Sequence, residues 1–273
     1  MSIVFFGGGN LAQALVGGLL AHGQPASEMR IVDIDAGVRS ELQSRWGIAV
    51  YPSFVGALDS DASTMVLAVK PQQMEQLVST FPALPAEMRV ISVAAGIPTD
   101  RLSCWLGGHS NIVRAMPNTP ALIQQGASGL YAMPAVSQED RLNAQSLMRA
   151  VGSSVWVEQE WELDVVTAVS GSGPAYVFLL MEAMCKAARD LGLDAGAAEA
   201  LVLDTVKGAA LLAGLRSESP EALRRRVTSP GGTTEAAVRV LMDGRWPEML
   251  NEAISAAACR SRELGAMTDS GGA

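Results

Sequence analysis

The chain has 273 residues, enough for two domains, and 49 % of them are hydrophobic against 18 % charged. That balance supplies a sizeable core and excludes a disordered chain. The net charge of −8 and the pI near 4.9 argue against nucleic acid as a partner, because phosphate backbones need an excess of Lys and Arg. A small anionic ligand needs only local donors and stays open.

The N-terminus "MSIVFFGGGN" lacks a basic stretch followed by a long apolar one, so it does not read as a signal peptide. "IVFF" (Ile3 to Phe6) reads as a strand, a glycine turn follows, and "NLAQALVGGLLAHG" reads as a helix. Gly7, Gly9 and Ala12 then stand at the spacing Gly-x-Gly-x-x-Gly/Ala, directly between strand and helix. Gly7 permits the tight turn, Gly9 lets the backbone approach a pyrophosphate, and Ala12 lets helix and strand pack closely. The helix N-terminus adds unpaired N–H groups and the positive end of its dipole. The second strand, "RIVDID" (Arg30 to Asp35), places Asp33 21 residues beyond Ala12, near the spacing of a ribose-binding acid. A dinucleotide site is the expectation, and a purely structural glycine turn is the alternative. Asp33 favours the free 2′-hydroxyl of NAD, whereas Arg39 either reaches a 2′-phosphate or is a solvated helix charge.

Further strands are expected at "TMVLAVK" (Thr64 to Lys70), "RVISVAAG" (Arg89 to Gly96), "NIVRAM" (Asn111 to Met116) and "SSVWVE" (Ser153 to Glu158). Continuous β-branched runs alternating with helices point to a doubly wound parallel sheet. Ligands of such sheets lie beyond the carboxyl ends of the strands. Lys70 with Pro71, and Ala94, Ala95 and Gly96, fall there. Lys70 is one of three lysines in the chain, either a solvated loop residue or a neighbour of the cofactor and so a candidate catalytic residue.

From Glu160 onward no strand is expected. Gly173 to Leu193 reads as a helix with Pro174 in its first turn. Asp194 to Leu215 reads as another, N-capped by Asp194. Ala and Leu cover most of that second helix, so it is expected to be buried almost all round. A helical domain this small cannot bury it alone, and a second subunit is expected to cover it. Two more helices are expected near Thr233 to Met242 and Trp246 to Leu264. The tail "MTDSGGA" is expected to be disordered. The division is thus residues 1–159, a dinucleotide-binding α/β domain, and residues 160–273, a helical domain.

Cys104, Cys185 and Cys259 are scattered, with no zinc spacing and no even-numbered disulfide framework, as in a reducing cytoplasm. No metal site is expected. No run reaches the roughly 18 uninterrupted apolar residues of a membrane span, so no membrane partner is expected. His22 and His109 flank glycines and receive no catalytic role. The stretch "RRVTSPGGTTEAA" (Arg225 to Ala237) is a glycine turn at a helix start, rich in hydroxyls. It is either a plain cap or a holder of something small and negative.

Together, "GGGNLA", "AVKP", "VAAG", "RAMPNTPAL", "VSGSGPAY" and "VTSPGGTTEAAVRVL" resemble the pyrroline-5-carboxylate reductase family, in order and over nearly the whole chain. The resemblance implies a Rossmann-type domain, a helical domain that dimerises by interleaving, and commonly a ring of five dimers. It implies NADPH or NADH as cofactor and a cyclic imine carboxylate, L-1-pyrroline-5-carboxylate, as substrate in the last step of proline biosynthesis. Carried over by position, it places the dinucleotide on Phe6, Gly7, Gly8, Gly9, Asn10 and Leu11, on Ala68, Val69, Lys70 and Pro71, and on Ala94 to Gly96. It implicates Glu160 near the nicotinamide. The substrate falls on Ser229, Gly231, Gly232, Thr233 and Thr234, with Thr234 bonding the ring nitrogen and Glu218 ordering the site. Phe54 stands where some relatives have asparagine near the adenosine phosphate.

An imine that is already protonated accepts hydride readily, so such a site mainly positions two rings and binds a carboxylate. A threonine hydroxyl can accept from or donate to the ring nitrogen. Main-chain N–H groups after Gly232 can hold the carboxylate. "SGSGPAY" is either a glycine turn before a Pro-started helix or a cleft lining, and Asn118 either turns the chain under the nicotinamide or satisfies loop backbone. The alternatives are a reductase of a related cyclic imine carboxylate, a β-hydroxyacid-type dehydrogenase and a non-enzymatic dinucleotide sensor. The dehydrogenase needs a basic lysine on a helix of the second domain, and the first one after Gly173 is Lys186, over three turns away.

Overall fold

The computed structural model describes residues 2–58, 62–215 and 218–267. The chain divides into two compact units, Met1–Ser172 together with Ala256–Ala273, and Gly173–Ser255. The tail beyond residue 267, and with it the expectation of disorder there, lies outside the described residues.

In the first unit the strands are β1 (Ser2–Phe6), β2 (Met29–Val32), β3 (Ala49–Tyr51), β4 (Ala62–Leu67), β5 (Arg89–Ser92), β6 (Ile112–Met116), β7 (Gly126–Ala132) and β8 (Gly152–Trp156). They form one sheet in the order β3-β2-β1-β4-β5-β6-β7-β8. All neighbours are parallel except β6 and β7, which run antiparallel with Ala115 opposite Leu130. The helices between them are α1 (Asn10–Ala21), α2 (Ala36–Trp46), α3 (Pro71–Val78), α4 (Thr99–Trp105), α5 (Gln138–Arg149) and α6 (Glu162–Val166). A π-helical turn, Thr167–Gly171, follows α6.

Alternation along the strands explains the double winding. Ile3, Phe5, Ile31, Val66 and Val113 face a core with Leu15 and Val16 of α1, Leu42 of α2 and Leu147 of α5. Val4, Phe6, Met65, Leu67 and Val90 face the other core, with Met74 and Val78 of α3 and Leu102 of α4. A strand buried on both faces must be apolar throughout, as these runs are.

Two strands escaped sequence reading. β3 has three residues at a sheet edge. β7, "GASGLYA", is rich in small residues that rank low as strand formers. They are small because neighbours approach closely: a Cβ on Gly129 would lie 2.7 Å from a Val166 methyl of α6, and one on Gly126 would lie 2.9 Å from the Val151 carbonyl oxygen. The strands also end earlier than the apolar runs suggest. Asp33, Lys70 and Ala94 lie in the turns beyond β2, β4 and β5 rather than inside them.

A buried polar network ties the strand starts, the end of the sheet opposite the glycine turn. Arg89, 6 % exposed, donates to Thr64 Oγ1 at 2.6 Å and pairs with Asp140. Asp140 also accepts from Ser137 Oγ at 2.8 Å and from Asn111 Nδ2 at 3.2 Å. Burial pushes the Asp140 carboxyl up, but the bonds from Ser137, Arg89 and Asn111 outweigh it and hold the group below the ordinary aspartate value. A depressed carboxyl contributes stability above its unfolded-state pKa and loses it as pH falls through the folded value. Denaturation midpoints are therefore expected to drop below about pH 4, and Asp140→Asn to flatten that part of the profile. Ser137 also caps α5, accepting from Asp140 N at 3.0 Å. Ser137→Ala is expected to cost about 1 kcal/mol in urea unfolding.

The second unit is helical among its described residues: α7 (Gly173–Asp190), α8 (Ala195–Gly214), α9 (Pro220–Arg226), α10 (Thr233–Asp243) and the beginning of α11 (Trp246–Met267). Asp194 caps α8 as expected, accepting from Gly196 N and Ala197 N. The expected all-round burial of α8 is not met within one chain. Only Ala198 and Val202 are buried on it, while Leu201 and Leu211 are 59 % and 64 % exposed. Phe178 and Leu179 of α7 and Val240 of α10 are also exposed. An apolar surface of this extent marks an interaction face.

Candidate active site

Beyond the carboxyl ends of β1, β2 and β4 lies a cavity of about 510 Å³. The glycine turn forms its floor. Gly7 has φ of +99°, donates to the Val32 carbonyl at 2.8 Å, and leaves no room for a Cβ, which would sit 2.7 Å from the Ala68 carbonyl oxygen. Gly9 precedes α1 with extended backbone, and the space a Cβ would fill is open. No acid occupies the first turn of α1, so nothing in that turn competes for its N–H groups. Open space at Gly9 beside a bare helix N-terminus fits a pyrophosphate. Ala12 is fully buried in the core, as the motif requires.

Asp33 is braced on both oxygens. Oδ2 accepts from Gly8 N at 2.7 Å and Oδ1 from Asp35 N at 2.8 Å. Asp33 lines the cavity with its carboxylate held in a fixed position. Arg39 donates to the Asp33 carbonyl at 2.7 Å, so it is tied to the strand end rather than simply solvated. Phe6, Gly7, Gly9, Ala68, Val69 and Lys70 line the same cavity, as the sequence places them. Gly8 lies behind the wall, and Asn10, Leu11 and Pro71 belong to the helix starts. Sequence reading missed Ser53, Gln73, Gln76 and Thr80, polar residues that also line the cavity. Their signal is weak because they come from an irregular loop and the exposed side of a short helix. Phe54 also lines the cavity. It meets Phe81 edge-on at 5.9 Å, and Phe81 lies 4.7 Å from Phe6, so an aromatic cluster packs along the cavity.

The turn after β5 is a separate feature. Ala94 is buried, Ala95 is exposed, and Gly96 has φ of +76°. Glu160 secures its far end, accepting from Thr99 N at 2.8 Å and Thr99 Oγ1 at 2.7 Å. Arg114, 6 % exposed, donates to the same carboxylate at 3.0 Å. Within the described residues, then, Glu160 braces a loop. Asn118 also acts on backbone: Nδ2 donates to the Ser170 carbonyl and hydroxyl, both at 3.2 Å, and Oδ1 accepts from Ala127 N at 2.9 Å. It fastens the π-turn that carries "SG" into "SGSGPAY". A π-turn leaves no sequence period to detect.

The hydroxyl-glycine loop belongs to the second unit. Gly231 has φ of +70°, and Gly232 N donates to the Ser229 carbonyl at 3.0 Å. Gly232 is the N-cap of α10 and supplies no side chain. Glu235 reaches back from the first turn and accepts from Gly231 N at 2.8 Å. The N–H groups of Thr233, Thr234 and Glu235 begin the helix without intrahelical acceptors. Thr233 and Ser229 are exposed and Thr234 is half-buried. Among the described residues no hydrogen bond engages the three hydroxyls. Glu218 pairs with Arg226, which holds the start and end of α9 together. Lys186 is exposed and pairs with Asp190 at 2.5 Å on the outside of α7, so it is occupied there. No group of three or more His, Cys, Asp or Glu able to hold a metal ion occurs among the described residues.

Comparison with known proteins places this geometry. Residues 160–264 match the family described as pyrroline-5-carboxylate reductase dimerisation, and residues 2–96 match one described as NADP oxidoreductase, coenzyme F420-dependent. The pyrroline-5-carboxylate reductase of Pseudomonas aeruginosa is 47 % identical over 96 % of both chains. The chain belongs to the pyrroline-5-carboxylate reductase family.

The structure of a pyrroline-5-carboxylate reductase from Coxiella burnetii superposes with a TM-score of 0.91 at 41 % identity, covering 96 % of this chain and 98 % of that one. The Plasmodium falciparum pyrroline carboxylate reductase with NADP bound shares the fold, with a TM-score of 0.84 at 24 % identity over 97 % and 98 % of the two chains. The reductase-family match also places the stretch Glu162–Asp190. An 18-residue window within it has a mean hydropathy of 1.4, which makes the stretch long and apolar enough to cross a membrane by length and composition. It falls within the matched dimerisation region.

Proposed function

We propose that this chain reduces L-1-pyrroline-5-carboxylate to L-proline with NADPH or NADH, the last step of proline biosynthesis. The observation that carries the reading is the 47 % identity to a pyrroline-5-carboxylate reductase over 96 % of the chain, with residues 160–264 matching that family's dimerisation region. The glycine turn, the helix α1 N-terminus and braced Asp33 fit the adenosine and pyrophosphate end of a dinucleotide. Ala94 to Gly96, with small or absent side chains, fit a flat ring approaching the backbone. When bound, the dinucleotide supplies the hydride.

The residues of this chain then have to bind, orient and exclude. Thr233, Thr234 and Glu235 N–H groups at the start of α10 suit the imine's carboxylate. Glu235, already on Gly231 N, narrows that site to the groups beyond it. The half-buried Thr234 hydroxyl, with no hydrogen-bond partner among the described residues, suits the ring nitrogen as an orienting bond. A threonine hydroxyl is too weak an acid to protonate the imine at neutral pH, so water is the proton source. Lys70 is a cavity-wall cation beside the dinucleotide rather than a proton donor.

The exposed apolar faces of α7, α8 and α10 support a homodimer through the helical domain, taken from residue 160. Five dimers in a ring is the assembly the family resemblance suggests. Three free thiols suit a reducing cytoplasm. The test is the steady oxidation of NADPH or NADH with L-1-pyrroline-5-carboxylate and with its six-membered homologue. Turnover of the five-membered imine is expected to dominate. Cofactor binding without turnover of either would end the proposal.

A further inference from the structure

The turn after β5 is held from two sides, and the second holder is the far end of the chain. One side is the Glu160 carboxylate on Thr99. The other is the last turns of α11, which from Ala256 belong to the first unit. They are docked firmly: Ala258 is 8 % exposed, Ser261 is 5 % exposed, and Ser261 Oγ donates to Asp164 Oδ1 of α6 at 2.7 Å. One turn later the helix backbone meets the β5 turn. A Cβ on Gly265 would lie 3.1 Å from the Gly96 carbonyl oxygen. A Cβ on Gly96 would lie 3.5 Å from Gly265 N and 3.6 Å from the Leu264 backbone. The approach is tight at Gly265, whereas at Gly96 a Cβ would make ordinary contact and it is the φ of +76° that favours glycine.

Local preference does not account for Gly265. Glycine inside a helix is less stable than alanine by about 1 kcal/mol. The cost is repaid only if something gains from the close approach, and what lies against Gly265 is the Gly96 carbonyl.

We infer that Gly265 is a positioning residue: the C-terminal turns of α11 are the backstop that sets the Ala94–Gly96 backbone for the nicotinamide end of the dinucleotide. The inference rests on the reading that this turn serves that end, as proposed above. The adenosine end lies elsewhere, on the cavity bounded by Gly7, Asp33 and Lys70, and does not depend on α11.

That separation provides the test. Binding of NADH, NADPH and ADP-ribose is measured by calorimetry on the full-length wild type, Gly265→Ala and Gly265→Val, with thermal unfolding alongside. Gly265→Val is expected to weaken both reduced dinucleotides roughly tenfold, the scale of a small displacement at a positioned site. ADP-ribose, which lacks the nicotinamide, is expected to bind within about twofold of wild type. Gly265→Ala is expected to show the same split at smaller size while its unfolding temperature holds or rises, as alanine favours the helix. If the valine variant does not fold, the alanine variant carries the test. Unchanged dinucleotide binding in both variants, or in alanine alone should valine not fold, would overturn the inference. So would an equal weakening of ADP-ribose. Failure of the underlying reading shows separately, as a wild type that binds NADH no more tightly than ADP-ribose or does not turn over the imine.

Discussion

Thr234→Ala is expected to lower kcat/KM for L-1-pyrroline-5-carboxylate by roughly 10- to 100-fold, the loss of one orienting hydrogen bond of about 1.5–3 kcal/mol. The structure sharpens the reason. Thr234 is half-buried at the first turn of α10, and no group of the described chain uses its hydroxyl. Removing it therefore breaks no internal bond, and the folded state should be little changed. Thr233, its exposed neighbour, is expected to tolerate the same change better. Thr234→Ser, which keeps the hydroxyl, is expected to restore most of the activity. Unchanged steady-state constants in Thr234→Ala would remove the residue from the site.

Asp33→Ser is the second large effect. A carboxylate beside the ribose accepts from a free 2′-hydroxyl and repels a 2′-phosphate. The ratio of kcat/KM for NADPH over NADH is therefore expected to rise by roughly 10- to 100-fold, again the scale of a charged hydrogen bond. The brace complicates any single rate. Asp33 also holds Gly8 N and Asp35 N, so its replacement loosens the glycine turn and weakens both cofactors. The ratio cancels that common loss, and a constant ratio would count against Asp33 as the ribose reader. Arg39 stands close behind, on the Asp33 carbonyl. Asp33→Ser combined with Arg39→Ala separates its part, because an arginine that reaches the 2′-phosphate would lower the gain.

The elements that frame the cavity beyond β1, β2 and β4 were legible because their residues answer to local rules. Gly7 needs a positive φ, Ala12 needs to be small, and β1 must be apolar on both faces, all of which can be read from spacing. The α8 cap at Asp194 was legible for the same reason. What escaped depends on partners far along the chain. β7 pairs with β6 and β8 as a strand, and it carries Gly129 because α6 presses there. The roles of Glu160 and Asn118 follow from Thr99, Arg114, Ser170 and Ala127, none of them near in sequence. The loop "SPGGTTE" was read as either a cap or an anion holder. It is a helix start whose glycine cap has no side chain, with Glu235 supplying an internal carboxylate on Gly231 N. That is an arrangement in which both readings describe the same N–H groups.

The central claim is that this chain moves hydride from a reduced nicotinamide to the imine carbon of a five-membered cyclic carboxylate. The most direct measurement supplies dinucleotide deuterated at the transferring position, with L-1-pyrroline-5-carboxylate, and follows the product by mass. The account predicts L-proline carrying a single deuterium at the ring carbon formerly double-bonded to nitrogen, formed in step with dinucleotide oxidation. Proline without deuterium, or dinucleotide left unoxidised in the presence of the imine, would contradict it.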